Sequence, residues 1–138
     1  MRHMRHMRHS ALISDDQAIE MGRGVAAWDG FEWTPGMAWL VPHRGATVWP
    51  EHLRAGRFPI PAGMSPLPDL RDRPTQAAVL ELIERAMGGS VWVTPCGIGT
   101  APDRAVIPGW QVVSFSKVYA GRATRAEAIA AAVEGMKR

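Results

Sequence analysis

An α+β fold, with a small antiparallel sheet and two amphipathic helices packed on one of its faces, is what this sequence predicts. Three observations carry the prediction. Two stretches of the second half, about 75–87 and 125–137, place apolar residues at helical spacing behind recognisable N-caps. Short runs rich in Val and Trp, such as MAWLV (37–41), ATVW (46–49) and VWVT (91–94), are punctuated by Gly and Pro in the manner of strands. The 138 residues, 46% hydrophobic and 21% charged, have the balance of one globular domain with a single core.

The elements follow in chain order. The opening MRHMRHMRHS repeats a Met-Arg-His triplet, the product expected of a cloning-site primer copied in tandem, and residues 1–13 are expected to form a disordered arm of that origin. Setting it aside changes the molecule's electrostatics. The formal charge of +3 is supplied by Arg2, Arg5 and Arg8, so residues 14–138, read as a single α+β domain, are neutral. Ser14-Asp15-Asp16-Gln17 has the capping-box spacing and opens a short helix expected to stop at Gly22. In VAAWDGFEW (25–33) the Asp29-Gly30 pair between apolar runs predicts a type I′ hairpin, and with MAWLV and ATVW it makes residues 25–49 a β-meander.

Residues 50–74 hold six of the 11 prolines, each of which removes a backbone donor and fixes φ. This stretch reads as an extended surface connector. Residues 75–137 then read as α-β-β-α. Asp72 caps the first helix, Pro74 sits in its first turn, and Val79, Leu82, Ile83 and Ala86 form its apolar stripe before Gly88-Gly89 ends it. VWVT is one strand, CGIGTAPDRAVIPG (96–109) a loop, and WQVVSFSKVY (110–119) a longer strand. Thr124 and Glu127 form a second capping box, and Ala128, Ile129, Ala132, Val133 and Met136 face inward from the closing helix.

The stretch PLPDLRDRPTQAAVLELIERAMGG, the closing RATRAEAIAAAVEGM and the upstream GMAWLVPHRGATVW together resemble a recurring type of small phage and prophage protein from high-GC bacteria. Such proteins share a PDL-D-P-T opening, an L-x-x-L-x-x-A-x-G helix and a T-x-A-E-A-x-x-A-A closing helix. The likeness covers about residues 30–136, and the use of 14 Arg against 2 Lys agrees with a GC-rich genome. It implies a setting and a fold type. It implies no reaction and no catalytic residues.

Tests for chemistry mostly fail. Cys96 is the single cysteine, so no internal disulfide forms, which suits a reducing cytoplasm. As a reactive-thiol candidate it needs a base, and outside the arm only His43 and His52 are histidines. Gly97-Ile98-Gly99 lacks the third glycine of a dinucleotide fingerprint, because position 102 is Pro. No cofactor motif and no metal-ligand spacing is found. No apolar run approaches the roughly 18 residues that span a bilayer, and the neutral domain lacks the basic footprint of a nucleic-acid binder.

The unusual feature is tryptophan, with six residues, four of them in the N-terminal meander. Helices cover one face of a small sheet, so some rings pack into the core and others are left on an uncovered face, where aromatics serve as contact anchors. Trp28, Trp33, Trp39 and Trp49, rimmed by Arg44, Arg54 and Arg57, are the candidate protein-contact residues. The function expected is that of a non-enzymatic phage or prophage accessory protein. It would act in the host cytoplasm by binding a host or phage protein, an inhibitor of a host defence system being the pointed form and a homodimer one assembly. The alternatives are a small enzyme or ligand-binder built on Cys96 and the 96–109 loop, and a virion structural subunit.

Overall fold

The computed structural model describes residues 13–41, 46–48, 66–100, 105–119 and 121–137. The Met-Arg-His arm lies outside the described residues, as do Arg44, Trp49, Arg54, Arg57, His43, His52 and most of the proline-rich connector. Among the described residues, three helices and two small antiparallel sheets make the fold α+β.

Helix α1 spans Asp15–Ala26. Its start is the expected capping box: Ser14 Oγ accepts from the Gln17 N–H at 3.1 Å, and Gln17 Oε1 accepts from the Ser14 N–H at 2.8 Å. Its end is not at Gly22. Ala18, Gly22 and Val25 recur at i, i+4 and i+7 as one buried face, so the helical period continues through the glycine. Gly22 is a point of close approach, since a Cβ there would stand 2.8 Å from the Pro68 carbonyl oxygen.

The hairpin expected at Asp29-Gly30 is absent. Residues 27–30 form turns, with the Phe31 N–H donating to the Trp28 carbonyl at 3.0 Å, and Gly30 lacks the positive φ that a type I′ turn requires. Gly30 instead makes room for a ring, because a Cβ would stand 2.7 Å from Trp28 Cε2. The meander therefore reduces to β1 (Trp39–Val41) and β2 (Ala46–Val48). The other edge of β1 pairs with β3 (Leu67–Pro68), giving the order β2-β1-β3. The end of the connector thus supplies an edge strand, the place in a sheet where proline is tolerated.

Helix α2 spans Arg73–Met87. Asp72 caps it by accepting from the Thr75 N–H at 3.1 Å, and Gly88 closes it at φ +74 in the left-handed region. Thr75 is fully buried and ties the helix to the first sheet. Its hydroxyl accepts from the Ala38 N–H at 2.8 Å and donates to Asp72 Oδ2 at 2.7 Å. Nearby, the Arg71 guanidinium bridges Asp69 (3.0 and 3.1 Å) and Asp15 (2.7 Å), joining the start of α1 to the segment that follows β3. Burial disfavours the Arg71 charge, but hydrogen bonds and attraction from Asp69 and Asp15 outweigh it and raise the pKa above the ordinary arginine value.

Strands β4 (Val91–Thr100) and β5 (Ala105–Ser114) form a ribbon of ten pairs, from Val91 opposite Ser114 to Thr100 opposite Ala105. The expected 96–109 loop is thus mostly strand. The expected strand 110–119 turns after Ser114 and returns, Val118 bridging to Val113 and Arg122 to Trp110. Helix α3 (Arg125–Met136) closes the chain. Thr124 Oγ accepts from the Glu127 N–H at 3.1 Å and donates to Glu127 Oε1 at 2.9 Å, so the carboxylate meets the cap's hydroxyl and not its backbone. Ala126, Ala128 and Ala132 are buried beside Ile129 and Val133, and these short side chains let α3 contact β5, α1 and α2 together.

Candidate functional site

The ribbon has two unlike faces, and register assigns each residue to one of them. Side chains of paired residues lie on the same side of a sheet and alternate along each strand. Val91–Ser114, Val93–Val112 and Pro95–Trp110 fall on one face, where Val91, Val112 and Ser114 are buried against the helices. Trp92–Val113, Thr94–Gln111, Cys96–Gly109 and Ile98–Ile107 fall on the other. That second face points outward. Trp92 is 40% exposed, and Phe115, just past the strand end, is 88% exposed with its ring centroid 5.5 Å from that of Trp92 at an edge-on angle of 71°.

Two further features define this surface. Residues 91–100 and 105–116 contain no charged side chain. The ribbon also carries its apolar character beyond the core, since Val106 and Ile107 are exposed toward its far end and Val118 beside its base.

Backbone parity explains how prolines fit here. The N–H groups of Trp110 and Ser114 donate away from β4, to the carbonyls of Arg122 and Lys117, both at 2.8 Å. Even-numbered residues of β5 and their odd-numbered partners on β4 therefore point their backbone groups out of the ribbon. Pro95 and Pro108 occupy such positions, so neither removes an inter-strand bond. The outward N–H of Val91 is met by the Glu84 carboxylate at 2.9 Å. Farther along the same outer edge come Val93, Gly97 and Gly99.

The glycines that resemble loop residues have packing roles. A Cβ on Gly109 would collide with Ile98 and stand 2.7 Å from the Arg122 carbonyl oxygen; one on Gly121 would stand 2.8 Å from Cys96 Sγ. Their bareness lets the 118–122 return lie close to β5. Cys96 accordingly sits half-buried in mid-ribbon, not on a loop, and its proposed bases, His43 and His52, lie outside the described residues.

The tryptophans sort unlike the expected interface. Trp28 is 6% exposed and Trp39 is 4% exposed, so both are core residues. Trp33 is half-buried between Phe31 (5.3 Å between ring centroids) and Trp39 (6.0 Å). Among the described tryptophans the outward ring is Trp92, which reasoning from local clustering missed along with Phe115, Ile107, Val106 and Val118. The signal was available as the period of two through VWVTPCGI, which sets Trp92, Cys96 and Ile98 on the side opposite Val91 and Val93.

A wide groove of about 1200 Å³ runs between α1 and α3, where Asp16, Glu20, Glu127 and Glu134 face Arg23 and Arg122. It is of mixed sign and open. Among the described residues, no three or more His, Cys, Asp or Glu are grouped to hold a metal ion, and no helix is long and apolar enough to cross a membrane. Compared with protein-family models, with curated proteins and with solved structures, the chain has no match in any of the three.

Proposed function

We propose that this is a non-enzymatic binding protein that presents the outward face of the β4–β5 ribbon to a protein partner. One observation carries the reading: the exposed Trp92–Phe115 pair stands on a face without charge, continuous with Ile98, Ile107 and Val113. Paired aromatics of this kind supply large contact area at low entropic cost and dominate interface energetics. The partner surface that fits is an uncharged apolar groove wide enough for two rings. A charged groove would lose solvation without gaining a counter-charge.

The setting rests on the resemblance of residues 30–136 to small phage and prophage proteins, and on it the chain is an accessory protein acting inside the host bacterium. A component of a host defence complex is the partner class that this setting favours.

The test compares the wild type with a Trp92→Ser, Phe115→Ser double variant of matched thermal stability. Both are immobilised against lysate of the source cells, and both are sedimented alone. The expected result is a retained protein whose affinity falls roughly tenfold or more in the variant. Self-association lost in the same variant assigns a second copy as the partner. Identical retention and identical sedimentation of the two proteins overturn the reading.

A further inference from the structure

On the inward face of the ribbon, opposite Trp92, a smaller cavity lies where β5 meets the first turns of α2 and α3. It measures about 220 Å³, and its walls include Arg71, Arg73, Gln76, Trp110, Thr124 and Arg125. Three arginines thus line one small space, and they are not equivalent. The Arg71 charge is already matched by Asp69 and Asp15, at 3.0 and 2.7 Å.

Arg125 is held only by uncharged groups. Its Nε donates to Gln76 Oε1 at 3.3 Å, and its Cζ lies 5.1 Å from the centroid of the Trp110 ring. Gln76 is itself fixed, because its Nε2 donates to the buried Leu70 carbonyl at 2.8 Å, which turns Oε1 toward Arg125. With Nε engaged, the two terminal nitrogens of Arg125 keep their N–H groups. Among the described residues, no carboxylate lies within ion-pairing distance of Arg125 or Arg73.

We propose that this cavity binds a small phosphate-type oxyanion, with Arg125 and Arg73 as its ligands and Gln76 and Trp110 as positioning residues. A guanidinium held in place by a ring and an amide is pre-organised, and its paired N–H groups match two oxygens of a tetrahedral anion. Two unmatched arginines suit the roughly −1.5 to −2 charge of a phosphate monoester near neutral pH. The volume is below the ~300 Å³ at which pockets for drug-sized ligands begin, so the occupant is phosphate or a small monoester and not a dinucleotide. Two like charges so close together disfavour one another. Burial first, and then the nearby positive charge of Arg73, lower the Arg125 pKa, and an anion between the two relieves both effects. None of this rests on the ribbon's outward face.

The experiment is an NMR titration of the full chain with inorganic phosphate and, separately, with glycerol phosphate, at an ionic strength held constant with chloride. Saturable shifts of the Arg125 Nε–H and Trp110 Nε1–H resonances are expected. Arg125→Met, which keeps the stem over Trp110, should weaken binding roughly tenfold or more, and so should Arg73→Met at its exposed position. Tighter binding of glycerol phosphate assigns a monoester as the occupant, and equal binding assigns the free ion. Absence of saturation in the wild type, or undiminished binding in both variants, overturns the proposal.

Discussion

The helical body and the β4–β5 ribbon use the same residue type to opposite ends. In the body, Trp28 and Trp39 are buried, and nearby polar groups are anchored: Thr75 holds the Ala38 N–H, and Arg71 is clamped between two aspartates. On the ribbon, Trp92 meets solvent beside Phe115, with no charge on either strand. The difference teaches that what surrounds an aromatic decides its role. A ring buried in the body supplies stability, whereas the same ring on the outer side of a two-stranded ribbon is left partly to a partner.

Substitutions on each side test that division. The largest stability loss is expected for Ile83→Ala in α2, where a fully buried side chain leaves a cavity; about 2–5 kcal/mol, read from urea unfolding, is the expected cost. Loss of the anchor in Thr75→Val should cost about 1–3 kcal/mol, because the buried Ala38 N–H is left without its acceptor at nearly unchanged volume. The ribbon is not uniformly tolerant. Gly109→Ala puts a methyl group 2.7 Å from the Arg122 carbonyl oxygen, and a loss of about 1–3 kcal/mol by the same measurement would place the 118–122 return within the cooperative structure. The smallest effect belongs to the outward rings. Phe115→Ser should shift the unfolding free energy by less than about 1 kcal/mol, since the side chain is 88% exposed and little beyond its edge contact with Trp92 is lost. A larger loss there would make that ring part of the core and remove the division itself.

The residues on which the proposed resemblance to phage proteins rests are occupied with folding. Of the PDL-D-P-T opening, Pro68 lies on an edge strand, Asp69 binds Arg71, Leu70 is fully buried, Asp72 caps α2, Pro74 lies in its first turn and Thr75 binds the Ala38 N–H just before β1. The motif thus describes a way of attaching a helix to a small sheet. The proposed contact surface lies elsewhere, on β4 and β5.

Legibility in the sequence followed the range of the interaction concerned. The caps at Ser14, Asp72 and Thr124 and the stop at Gly88 were readable, because a side chain three residues away, or a single positive φ, settles each of them. The glycines at 22, 30, 97 and 109 were misread as punctuation. Each resembles a turn residue locally, and only the neighbour it admits shows otherwise: Pro68 at Gly22, the Trp28 ring at Gly30, Val106 at Gly97, and Ile98 with Arg122 at Gly109. The cavity beside Arg125 was equally hidden, since Gln76, Trp110 and Arg125 come from three separate elements.

By itself, then, the sequence determined where two of the three described helices run, the start of the other, the α+β class and the neutrality of residues 14–138, all consequences of hydrogen bonds and charges that are local or simply additive. Tertiary structure alone decided which tryptophans are covered, that 96–109 pairs into a ribbon, and which arginines keep an unmatched charge. Burial and pairing depend on what the rest of the chain brings alongside, and no short window of residues contains that information.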